Sequence, residues 1–235
     1  MTRTASAHTE PTAARHLAWL ALGFIGSFFV PFLLADLLGL PRDLYYGVYF
    51  LFVGGLFVTW ARDTGKPLGH LFSRRWPWAL GLGLVFALIS AIVALRAVPA
   101  TPHPGGLAFV GALIWRGVLY GAADGLLLSA FPILVVFAAL STQGERAEVG
   151  ARVLKGALAL VASLVMTATY HLGYSEFRSP KLVRPVAGDL IWSIPTLATL
   201  NPLGSPLAHA RVHVGAVVHS YNTDLFLPPH RPRAR

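Results

Sequence analysis

The sequence predicts an all-α fold: a polytopic bundle of transmembrane helices with about eight spans, within a range of six to eight, some short or broken. Three observations carry this expectation. Hydrophobic residues make up 55% of the 235-residue chain. Charged residues make up only 12%, where soluble domains run nearer a quarter. The charges are also missing from long runs, at 17–35, 44–61, 76–95, 97–115, 125–144 and 156–170. Most of these runs reach or approach the roughly 20 residues that span about 30 Å of hydrocarbon as a helix. A soluble bundle of this size would need polar outer faces, which 10 acidic and 19 basic residues cannot supply while leaving those runs bare.

The elements run in order along the chain. Residues 1–16 are small and polar and read as a disordered tail. A membrane domain then covers 17–222. Its first span, about 17–38, is too long for a signal-peptide core and reads as an uncleaved anchor, with Pro31 as a tolerated kink. The second span is about 44–60. A basic loop with Arg62, Lys66, Arg74 and Arg75 leads to the third, whose start carries Trp76 and Trp78 where an interfacial aromatic belt belongs. After the Pro/Gly-rich loop VPATPHPGG, the run from 107 to 140 is too long for one span: 34 residues make about 51 Å of helix. A break at Gly121–Gly125 is therefore expected, giving helices at about 107–122 and 125–140. A span at about 153–173 precedes a polar loop ending at Pro185. Two short pieces come last. One is about 189–200, with Asp189 as its cap. The other is about 205–221, opened by Ser205 as capping residue and Pro206 at the first helical position. The tail 223–235 is basic and broken by prolines.

The distribution of bases sets an orientation. With eight spans and the N-terminus inside, the inner segments hold 12 bases, and the outer loops hold Arg42, Arg96, Arg146, Arg152 and Lys155. Both termini are thus expected in the cytoplasm, with the protein in the cell membrane. The lipid bilayer is its expected surrounding, and a membrane-embedded molecule its expected substrate. The net charge of +9 would invite nucleic acid, but the bases sit between hydrophobic spans, so no nucleic-acid partner is expected. The absence of cysteine excludes disulfides, thiolate metal sites and thiol catalysis.

Ionisable groups inside spans are costly and point to function by default. Four places qualify. Arg116, Tyr120 and Asp124 recur every fourth residue and share a helical ridge, beside a ridge of Gly117, Gly121 and Gly125 that would let another helix approach closely. His171 ends the span at 153–173. His209 and His213, at i and i+4, face one side of an apolar helix, a spacing that can chelate a divalent metal. Asn201, in the NPLGSP hairpin, is a turn residue by default and a substrate hydrogen-bonding group otherwise. The functional core is therefore expected within 107–221.

The order of these motifs resembles the CAAX-protease and bacteriocin-processing family of intramembrane metalloproteases. Trp115-Arg116-Gly117-Val118-Leu119 resembles the arginine end of that family's glutamate-pair motif. Tyr170-His171-Leu172-Gly173 resembles the Phe-x-x-x-His motif, with Thr167 in place of phenylalanine. His209-Ala-Arg-Val-His213 resembles the His-x-x-x-Asn motif, with His213 in place of asparagine. The glutamate pair falls on Gly111 and Ala112, so the chain reads as a degenerate member lacking it. The resemblance implies a metal-dependent membrane hydrolase or peptidase with His171, His209 and Arg116 as catalytic residues. It implies His171, His209 and His213 as metal ligands, with zinc as the expected ion. The missing carboxylate must then come from elsewhere, and Asp124 and Glu176 are the candidates if the fold brings one to the histidines. Proteolysis itself is left in doubt. The alternatives are a transporter with a midplane polar site around Arg116 and Asp124, or a haem protein with histidine axial ligands.

Overall fold

Apolar runs this long satisfy their backbone internally, and the chain does so as helices. The computed structural model describes residues 12–97, 99–141, 148–222 and 227–228. Most of the two expected tails lies outside the described residues. The helices are α1 (Ala13–Leu37), α2 (Arg42–Asp63), α3 (Leu68–Ser73), α4 (Trp76–Ala97), α5 (Gly106–Ala139), α6 (Val149–Leu172), α7 (Val183–Trp192), α8 (Ile194–Thr199) and α9 (Gly204–His219). No strand occurs among the described residues. The fold is an all-α helical bundle. Four helices, α1, α2, α5 and α6, are long and apolar enough to cross a membrane, and α4 carries a shorter apolar stretch, Trp76–Ile92.

α5 is the central helix. Of its most apolar 18-residue window, 72% is buried, against 22% for α1 and for α6. Its first half packs on α9, its second half on α1 and α6, and α2 lies along its middle. The break expected at Gly121–Gly125 is absent: α5 runs unbroken through all 34 residues. Two wide π turns, Leu113–Leu119 and Gly125–Ala130, take the place of the break. The glycines serve packing. A Cβ on Gly117 would sit 2.9 Å from the Val214 side chain, one on Gly121 2.5 Å from Ala210 Cα, and one on Gly125 2.6 Å from Pro206 Cα. This glycine ridge is the seam on which α9 lies antiparallel to α5, close enough for backbone to meet backbone.

Three boundaries differ from expectation, each because of a side-chain partner. α1 begins at Ala13, inside the expected tail, because Thr12 caps it and Arg15 and His16 find partners on α2. Arg15 pairs with Asp63, Trp19 donates to Asp63, and the Trp60 indole donates to His16 Nδ1. The piece expected at 189–200 is two helices, α7 and α8, and Asp189 lies inside α7 rather than capping it. α9 starts at Gly204, with Pro206 two residues further in. Asn201 Oδ1 accepts from the Leu203 amide and Thr196 Oγ1 from the Ser205 amide, while the Ser205 hydroxyl makes no hydrogen bond.

Candidate metal centre

α5, α6, α7 and α9 line an open-sided cavity of about 460 Å³, within the range of small-molecule sites. Its walls are mostly apolar, with Leu128, Ile191 and Val212 among them. Its polar surface comes from Asp124, His171, His209 and His213, with Arg184 as the one cation among the described lining residues.

Asp124, His209 and His213 are all buried, and one donor atom from each lies within 4.8 Å of the others. His213 Nε2 is 3.2 Å from Asp124 Oδ2. The other carboxylate oxygen accepts from the Tyr49 hydroxyl at 2.7 Å. α9 supplies both histidines because residues at i and i+4 share a face. α5 supplies Asp124 because the glycine seam brings it alongside that face. The donor chemistry fits a borderline divalent ion. Donors about 2.1 Å from a tetrahedral zinc stand about 3.4 Å apart, so a set already within 4.8 Å needs a shift of roughly 1 Å to close on one. Two imidazoles and one carboxylate also leave a coordination position open, the pattern of reactive rather than structural zinc sites.

His171 lines the same cavity from the end of α6. Its Nδ1 is 2.8 Å from the Thr167 carbonyl. A carbonyl only accepts, so Nδ1 carries the proton and Nε2 is left with a lone pair. Phe177 packs edge-on against the ring at 4.8 Å. The Thr167 hydroxyl is buried without a partner.

The remaining residues singled out in the sequence lie elsewhere. Arg116 is not on the cavity lining. Its guanidinium forms a fork on Asp43 at 2.8 and 2.6 Å, donates to the Tyr221 hydroxyl at 2.6 Å and lies over that ring. Arg116 and Asp124 therefore share a helix but not a site. Asn201 is a clamp: it donates to the Phe72 and Arg74 carbonyls and accepts from the Leu203 amide. Glu176 pairs with Lys181 at 2.8 Å. Gly111 and Ala112 lie 12 or more residues before Asp124, about 18 Å along the helix.

Comparison with models of known families, with curated proteins and with solved structures finds no match.

Two groups at the site are not assigned to it by the sequence, which places Tyr120 on the Arg116–Asp124 ridge and reads Asp189 as a helix cap. One is a set of buried tyrosines, Tyr45, Tyr46, Tyr49, Tyr120, Tyr170 and Tyr174. The Tyr45, Tyr170 and Tyr174 hydroxyls form a closed ring at 2.8–3.2 Å, and Tyr120 joins it at 2.6 Å. Tyr120 stacks on Tyr46 and meets the His213 ring edge-on at 4.9 Å. The other is Asp189, fully enclosed between Ser129 on α5 and Ser163 on α6 at 2.6 and 2.7 Å. Repeated tyrosines near Asp124's partners, and an aspartate amid apolar residues with serine four positions on, were the only signals available for them.

Proposed function

We propose that this chain is a membrane-embedded, metal-dependent hydrolase of the peptidase kind. Asp124, His209 and His213 are its metal ligands, zinc is its ion, and His171 is its proton acceptor. The observation that carries the reading is a buried aspartate–histidine–histidine group opening onto a cavity that a third histidine, His171, also lines. The motif order resembling intramembrane metalloproteases supports it, with Asp124 in place of the absent glutamates. When bound, the ion supplies Lewis acidity, enough to bring the ionisation of water near neutral pH. Tyr49 holds one oxygen of Asp124 and so leaves the other for the ion. His171, with its proton committed to Thr167, offers Nε2 to accept a proton from water. The mostly apolar walls suit a substrate drawn from the membrane.

The test is metal content and hydrolysis together. Protein purified in detergent is expected to hold about one zinc per chain, and His213→Ala to lose it. A chelator should abolish cleavage of a membrane-anchored peptide reporter, and added zinc should restore it. A wild type that takes up none of zinc, cobalt, manganese or iron would sink the metal assignment. Cleavage indifferent to chelation would sink the mechanism.

A further inference from the structure

Asp189 is buried beside the metal donors but is not one of them. We propose that Asp189 is a positioning residue of this centre: acting through Ser129, it holds the ring proton of His209 on Nε2 and leaves Nδ1 with the lone pair a metal takes. The proposal rests on the metal reading above.

The argument is a count of hydrogens. The Ser129 hydroxyl has one proton. Its neighbours are Asp189 Oδ1 at 2.6 Å and His209 Nε2 at 3.4 Å. Accepting the proton falls to the carboxylate, the stronger acceptor and the closer one. Ser129 therefore turns a lone pair towards His209. Asp189 Oδ1 itself lies 3.6 Å from the same Nε2, too far for a hydrogen bond but a second negative neighbour. With Ser129 as acceptor before it and the carboxylate's charge just beyond, Nε2 is the nitrogen that carries hydrogen. In a neutral imidazole the lone pair is then on Nδ1.

The surroundings are built to hold the carboxylate in place. Its second oxygen accepts from Ser163, whose hydroxyl also lies 2.9 Å from the Leu128 carbonyl and 2.7 Å from Ser193. Ser129 sits in the second π turn of α5, and α7 closes over the site with Asp189 in its last turn. Trp192, one residue before Ser193, meets the His209 ring at 4.6 Å and is fixed by donating to Ser90. The ring thus has its plane set by Trp192 and its proton set by Ser129 and Asp189. Outer partners of this kind orient a ligand and raise its basicity, and their loss costs 10–100-fold in metal affinity.

The experiment uses the full-length protein in detergent, Co²⁺ as the probe and Zn²⁺ in competition. Asp189→Asn and Ser129→Ala are compared with wild type by cobalt absorption, affinity and thermal unfolding. Both variants are expected to keep one metal per chain, bind it about 10–100-fold more weakly, and shift the cobalt ligand-field band. Ser129→Ala removes only the hydroxyl between Asp189 and His209, so it decides the matter if Asp189→Asn does not fold. Wild-type affinity and band in Ser129→Ala, with or without a lower melting temperature, would overturn the positioning role and leave the metal site standing. A wild type that binds no cobalt overturns both.

Discussion

Replacing Gly121 by alanine puts a methyl group into a seam with no room for it. The new Cβ would lie 2.5 Å from Ala210 Cα, 2.9 Å from Ala210 N and 2.8 Å from His213 Cδ2. Two of these neighbours are α9 backbone, which cannot rotate aside. Restoring an ordinary contact near 3.4 Å moves α9 off α5 by about 0.9 Å at this level. Overpacking of this kind costs about 1–3 kcal/mol. The same movement carries His209 and His213 away from Asp124, and a metal centre tolerates only about 0.5 Å of misplacement. Gly121→Ala is therefore expected to lower the melting temperature in detergent by several degrees and to weaken zinc at least tenfold. Gly111→Ala is the matched control. Nothing lies within 4 Å of its Cβ, and alanine favours the helix by up to about 1 kcal/mol. Thermal unfolding and zinc competition with a chromogenic chelator read both effects. A Gly121→Ala protein as stable and as zinc-competent as wild type would refute the seam as the element that builds the site.

Other outcomes turn on single side chains. Tyr49→Phe removes the donor to Asp124 Oδ1 without changing shape, and should weaken zinc by about tenfold with little loss of stability; zinc titration checks it. Arg116→Ala should leave metal affinity unchanged and cost about 1 kcal/mol, because its partner Asp43 is half exposed and rehydrates; a loss of zinc would place Arg116 in the site after all. Asn201→Ala strips partners from the Phe72 and Arg74 carbonyls and the Leu203 amide, and should cost about 2–3 kcal/mol while the metal stays bound. Thermal unfolding beside zinc content separates those two readouts.

Much of the architecture is local and could be read from the chain. Long uncharged runs form helices because an apolar environment leaves the backbone no partner but itself. Gly117, Gly121 and Gly125 announced a close helix contact, and the spacing of His209 and His213 put both rings on one face. The misreadings have a common cause. Asp189 looked like a cap because its neighbours in sequence suit a helix start, yet its partners, Ser129 and Ser163, lie 60 and 26 residues away. GAADG looked like a break because length alone argued for one, while the glycines were required by α9.

Which carboxylate meets the histidines was settled only in three dimensions. An α-helix advances 3.6 residues per turn, so one ridge should carry Arg116 and Asp124 together. Both do face α2 and the α9 segment: Arg116 meets Asp43 and Tyr221, Asp124 meets Tyr49 and His213, and Tyr120 between them meets Tyr46 and His213. What parts them is length: eight residues are about 12 Å of helix, so only Asp124 lies level with the histidines. The sequence by itself determined the helices, the glycine ridge and the paired histidines, because these depend on neighbours within a few residues. The tertiary structure alone decided that Asp124, His171, His209 and His213 share one cavity with Asp189 behind them, because that depends on the rotation and register of helices far apart in the chain.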